Sequence, residues 1–183
     1  MKHSKTILAV AMILTAGVAG AFAADAVSES RSEPVAFVPA SWHPELQEGE
    51  YVGSRDGCRK CHLREYRSWE RTPHAKAIEL LSPEEQADPN CVKCHSTGFG
   101  EPTGFVSMEE TPKLANVGCE VCHGPGSLFM DKEIMKDHDA AIAAGLRVPD
   151  ETTCRACHNA ESPTFSGEFD FEVAKEEGIH DIR

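Results

Sequence analysis

The sequence predicts a mainly α fold with extensive loops and little β structure, its short helices wrapped around material that is not protein. Three observations lead there. Aromatic residues make up only 7% of the 183 positions, against 14 Gly and 11 Pro, so large side chains are too scarce to fill a core of this length. Four short segments carry helix signals, and the stretches between them carry turn signals. The eight cysteines fall into four copies of one short motif, with none left over.

The N-terminus reads as a targeting segment. Lys2 and Lys5 form a positive start, Thr6 to Gly20 is apolar, and Ala21-Phe22-Ala23 has the small-x-small pattern of a signal-peptidase site. The apolar run is shorter than the ~20 residues a spanning helix needs. Residues 1–23 are therefore expected to be a cleaved signal peptide. The mature chain would be periplasmic, with no integral membrane segment. Residues 24–50 are polar and acidic, with Pro34, Pro39 and Pro44, and read as an extended arm. Residues 51–183 form the body.

The chain carries a formal charge of −12. An acid excess of this size argues against nucleic acid or anionic lipid as partners. It suits a partner with a basic docking face, or a surface built for solubility.

The motifs are Cys58-Arg59-Lys60-Cys61-His62, Cys91-Val92-Lys93-Cys94-His95, Cys119-Glu120-Val121-Cys122-His123 and Cys154-Arg155-Ala156-Cys157-His158. Disulfides do not require a histidine beside each pair, zinc sites do not require it at the same offset every time, and thioredoxin-like pairs come singly. C-x-x-C-H is the attachment pattern of c-type haem. Two thiols one helical turn apart add across the two vinyl groups, and the adjacent imidazole reaches the iron from below. The sequence thus predicts a multihaem cytochrome c. Cys58, Cys61, Cys91, Cys94, Cys119, Cys122, Cys154 and Cys157 hold four covalent haem c groups, and His62, His95, His123 and His158 are the proximal iron ligands. With about 33 residues of body per haem, most side chains must touch a porphyrin.

Helix signals appear in order. Arg59 to Glu70 reads as one helix ended by Pro73. Ser82-Pro83-Glu84-Glu85 supplies an N-cap, a proline at the first helical position and a Glu at the third. Ser127 to Ala144 reads as a third helix stopped by Gly145, placing Ile134, His138, Ala141 and Ile142 on one face. Phe171 to Glu177 is a fourth, ending at Gly178. Gly98 to Gly104 and Gly124-Pro125-Gly126 read as turns.

Each iron has a second axial position. The mature chain has four histidines outside the motifs, and His43, His74, His138 and His180 are the candidates to fill it. Met108, Met130 and Met135 compete; a methionine ligand would raise the potential relative to histidine.

Further residues carry a resemblance. Ser68-Trp69, Thr72, His74-Ala75-Lys76-Ala77, Gly98-Phe99-Gly100, Pro112-Lys113, Val117-Gly118-Cys119-Glu120 and Cys122-His123-Gly124-Pro125-Gly126 resemble the tetrahaem cytochrome c-554 family, electron carriers associated with hydroxylamine oxidation. The resemblance spans residues 53–183 and includes the order of the four motifs. It implies that His138 completes the haem of His62, His180 that of His123 and His74 that of His158. It leaves the His95 haem with an open distal side, and it implies haems stacked in close pairs.

The function expected is electron transfer between redox proteins, a donor and an acceptor, with no side chain acting as a catalytic acid, base or nucleophile. Two other readings stand beside it. An open His95 haem would bind or reduce nitric oxide or a similar ligand. Alternatively, His43 on its arm would ligate the iron of a neighbouring subunit in a haem-sharing assembly.

Overall fold

In the computed structural model, residues 49–180 are described. The expected signal peptide, the arm up to residue 48, and His43 lie outside them. Among the described residues there are seven short α-helices: α1 (Leu63–Trp69), α2 (Pro89–His95), α3 (Cys119–His123), α4 (Lys132–Met135), α5 (His138–Ala143), α6 (Glu151–Arg155) and α7 (Phe171–Glu177). Single 3-10 turns stand between them, and the only β pairing among these residues is an isolated antiparallel bridge from Ser96 to Ala115. None of these helices is long and apolar enough to cross a membrane.

Local chemistry explains each boundary. The segment expected as one helix from Arg59 to Glu70 is a 3-10 turn, Cys58–Lys60, followed by α1. His62 breaks it, with φ −107° and ψ 51°, and its carbonyl accepts the first helical bond from Tyr66 N–H at 2.9 Å. The helix buries Tyr66 and Ser68 and stops before Pro73, which opens an eight-residue 3-10 stretch, Pro73–Leu80. Trp69 Nε1 donates to the Val117 carbonyl at 2.9 Å and ties α1 to the approach of the third motif.

The reciprocal cap at Ser82 and Glu85 forms as expected: Ser82 N–H donates to Glu85 Oε2 at 2.8 Å and Glu85 N–H to Ser82 Oγ at 3.3 Å. It launches only one 3-10 turn, Glu85–Ala87. Asp88 precedes a proline, which disfavours helical backbone there, and it sits at φ −89°, ψ 117°. Its carboxylate then caps Asn90 N–H, and Pro89 begins α2.

The long helix expected from Ser127 to Ala144 is instead three pieces. Asp131 and Asp137 each leave the helical region and cap the piece that follows, accepting from Glu133 and Ile134, and from Asp139 and Ala140. An aspartate that captures the next turn's amides competes with continuation of the helix. Ile134 and His138 therefore belong to different helices and do not share a face. Gly145 ends α5 at φ 117°, with Gly145 N–H on the Ile142 carbonyl at 3.0 Å and Leu146 N–H on the Ala141 carbonyl at 2.9 Å. This is the paired-bond stop that needs a left-handed residue. Helix α7 spans Phe171–Glu177, as the sequence predicts.

The apolar core is small. Tyr51, Ile78, Val92, Phe105 and Leu114 form it, with Leu81, Phe99 and Ala115 packed against it. Tyr51 lies flat on Gly98, where φ is 70° and a Cβ would come within 2.7 Å of the ring. Only glycine fits both conditions.

Candidate haem sites

Each motif is presented by a turn of helix. The second lies at the C-terminal end of α2, the third is α3 itself, the first opens with the 3-10 turn Cys58–Lys60 and the fourth begins in α6. That turn brings two thiols one helical step apart to the same side, with the imidazole following directly.

The motifs also meet one another. The Cys58 and Cys119 thiols share a hydrogen bond, as do Cys94 and Cys157. As free thiols these pairs are polarised: the bond holds Cys119 and Cys94 down to about 7 and pushes Cys58 and Cys157 up. Burial pushes Cys122 up to about 11, with a further contribution from neighbouring Cys154. The motifs therefore form a contiguous series: first, third, fourth, second.

The imidazoles are oriented from behind. His95 Nδ1 lies 2.6 Å from the Ala77 carbonyl and His123 Nδ1 lies 3.0 Å from the Arg147 carbonyl. A carbonyl only accepts, so both Nδ1 atoms carry the proton and both Nε2 atoms are left with a lone pair for a metal. Metal-bound histidines are commonly fixed in this way. His62 Nδ1 has a carboxylate behind it at 4.0 Å, Glu65 Oε2. His158 is stacked on Phe169 at 5.1 Å between centroids, and Arg155 covers the same phenyl ring at 5.1 Å.

Two candidate distal histidines face proximal ones. The ring centroids of His74 and His158 are 6.0 Å apart with planes at 65°, and those of His123 and His180 are 6.2 Å apart at 30°. Metal–imidazole bonds of about 2.0–2.1 Å put two rings on opposite sides of one metal with centroids roughly 6 Å apart. The spacing suits one iron between each pair and is too wide for direct ring packing. Burial lowers the proton affinity of His74, His123 and His158, keeping them as the neutral bases that a metal needs. Among the described residues no three His, Cys, Asp or Glu side chains converge to hold a bare metal ion. The donors thus come as facing imidazole pairs beside paired thiols, and the residues fit haem c.

The other candidates stand apart from these pairs. His138 opens α5 with its side chain 73% exposed, its Nδ1 3.8 Å from Asp139, so it does not lie on a buried apolar face. Met108 and Met130 are 44% and 45% exposed, and Met135 is half-buried.

Sequence reasoning missed Glu120. This residue, inside the third motif, is 1% exposed. Its Oε1 accepts from Val52 N–H at 2.8 Å and Gly126 N–H at 2.7 Å, and its Oε2 from Gly53 N–H at 2.7 Å. Arg147 Nη2 donates to the carbonyls of Glu120 at 3.1 Å and Val121 at 3.3 Å. One buried carboxylate thereby joins the start of the body to the Gly124-Pro125-Gly126 turn, beside Cys58 and Cys119. Its position within C-x-x-C-H is visible in the sequence, but its burial is not.

Residues 57–124 match the family described as cytochrome c554 and c-prime. Over these residues the chain is similar to the cytochrome c-554 family. Cytochrome c-554 of Nitrosomonas europaea is 33% identical over 142 residues, 62% of this chain and 60% of that protein, so the chain spans somewhat under two thirds of this curated relative. The reduced state of cytochrome c554 from the same organism superposes with a TM-score of 0.58 at 27% identity, covering 74% of this chain and 86% of the other. The family match runs from the first motif through the third and includes Glu120.

Proposed function

We propose that the chain is an exported, periplasmic electron carrier that holds four covalent haem c groups and passes electrons through them between redox proteins. The observation that carries this reading is the opposition of His74 to His158 and of His123 to His180 at the separation that one iron requires, each beside a C-x-x-C-H motif. Bound haem would supply one-electron chemistry at the iron. The chain's own residues fix the rest. The Ala77 and Arg147 carbonyls orient His95 and His123, and the Cys58–Cys119 and Cys94–Cys157 contacts set neighbouring cofactors close together. A potentiometric titration followed at the visible bands tests the reading. Uptake of four electrons per chain is expected, and uptake of one or none would refute it.

A second reading is favoured by one observation. His95 is anchored from behind by Ala77, and among the described residues no second imidazole faces either it or His62. A haem there would offer a coordination site to a small ligand such as nitric oxide. Exposure of the reduced protein to nitric oxide would then shift the spectrum of at least one haem, with the His74–His158 and His123–His180 haems unchanged.

A further inference from the structure

The first motif sits in a patch of charge opposite to that of the chain. Between residues 55 and 71 there are six basic side chains, Arg55, Arg59, Lys60, Arg64, Arg67 and Arg71, against the acids Asp56, Glu65 and Glu70. This is a net of +3 in a chain of −12, and it gathers six of the 18 Lys and Arg. All six are exposed.

Their partners are the second observation. Elsewhere among the described residues four of the eight basic side chains are matched to carboxylates: Lys93 to Glu161 at 2.6 Å, Lys136 to Glu133 at 2.7 Å, Arg155 to Glu151 at 2.6 Å, and Lys175 to Glu172. Among the described residues none of the six has a carboxylate within ion-pair distance. Arg55 instead bonds the Tyr66 hydroxyl, Arg59 lies over the Tyr66 ring at 5.7 Å and Arg71 donates to the Arg67 carbonyl. Those contacts position the guanidinium groups without neutralising them. Of the local acids, Glu65 lies toward His62 and Glu70 toward Tyr66, while Glu70 and Asp56 act on Arg55 only from beyond ion-pair distance. Arg55, Asp56, Arg59, Lys60 and Leu63 also line an open cleft of about 580 Å³ beside Cys58.

We propose that this patch is the docking surface for an acidic redox partner, one that presents a carboxylate-rich face next to its own redox centre. The proposal rests on the electron-carrier reading and adds where the exchange occurs: at the first motif, one end of the first–third–fourth–second series. A surface of unmatched cations on an acidic protein orients an acidic partner as well as attracting it. The rest of the molecule repels that partner, so the encounter is restricted to this end. Charges within the screening length, about 10 Å at 0.1 M and 3 Å at 1 M ionic strength, dominate the final approach.

The salt dependence of electron transfer to a small anion separates the local charge from the global one. Fully reduced holoprotein is mixed with ferricyanide, which takes one electron from a ferrous haem and leaves as ferrocyanide. The fastest phase is followed between 0.1 and 1 M ionic strength. A net-negative protein with no functional patch gives a rate that rises with salt. The patch gives a rate that falls, by about threefold or more. In R64E/R67E the slope reverses, while R64Q/R67Q flattens it and serves as the control if the double reversal folds poorly. The cationic oxidant tris(phenanthroline)cobalt(III) should show the opposite trends. A wild-type rate that rises or stays level, as would follow if haem propionates neutralised the six cations, overturns the proposal, and so does a slope unchanged in both double variants. Failure of the electron-carrier reading looks different: the purified protein would show no haem band to follow.

Discussion

The ring of His180, past the last helix, stands 6.2 Å from that of His123 in the third motif, with the two planes inclined at 30°. His74 and His158 repeat the relationship at 6.0 Å. Two imidazoles facing each other across such a gap are too far apart to pack directly and stand at the spacing that one metal between them requires. Removing either distal ring should therefore affect one haem. H180A and H74A are each expected to convert a single haem from low to high spin, with the other haems unchanged, in electron paramagnetic resonance of the oxidised protein. An unaltered low-spin count in both variants would show that these rings are not ligands.

The two pairs differ in angle, 65° against 30°. Crossed imidazole planes leave the two iron π orbitals nearly equal in energy, whereas near-parallel planes split them. The His74–His158 haem is expected to give a low-spin signal with a large maximal g value, and the His123–His180 haem a rhombic one. H74A should remove the first and H180A the second; the opposite assignment would contradict the geometry.

Glu120 offers a test of the scaffold. Its carboxylate accepts three backbone N–H groups in a site 1% exposed. Substitution by alanine leaves buried donors unpaired and should cost about 3 kcal/mol, with glutamine costing less because it keeps one acceptor. Guanidinium unfolding of the holoprotein, followed at the haem bands, reads this directly. Equal stability of E120A and wild type would remove Glu120 from the scaffold.

Tyr51 gives a pH dependence. Burial, with Glu101 nearby, pushes its hydroxyl up to about 12 from 10.0. The folded chain holds this proton more tightly than the unfolded one. Its contribution is therefore whole below pH 10, declines as the pH rises and is gone above about 12. Two units correspond to about 2.7 kcal/mol. The stability difference between wild type and Y51F should shrink by roughly that amount from pH 9 to 12. Parallel curves would contradict it.

Much of this was legible in the chain, and the failures have physical causes. Phe171–Glu177 was readable because Asp170 caps it and Gly178 follows it. The stop at Gly145 was readable because a left-handed residue favours glycine. The single helix from Ser127 to Ala144 failed at Asp131 and Asp137, where a side chain that looks like an ordinary helix-surface aspartate captured backbone amides instead. That error also placed His138 on an apolar face it does not occupy. The start of α2 is written in Pro89, with Asp88 before it as the cap. Glu120 and Arg147 were invisible for a different reason: a charged residue is expected outside, and only the fold shows the three amides that bring one inside. The His74 and His180 pairings came from the resemblance, and the rings it names stand 6.0 and 6.2 Å apart.

The measurement that bears most directly on all of this is the intact mass of the exported, mature protein, taken with its visible spectrum. The mass should exceed that of the polypeptide by four haem groups, and the reduced spectrum should show the sharp bands of thioether-linked haem. A mass equal to the amino acids alone, with no visible absorbance, would contradict it.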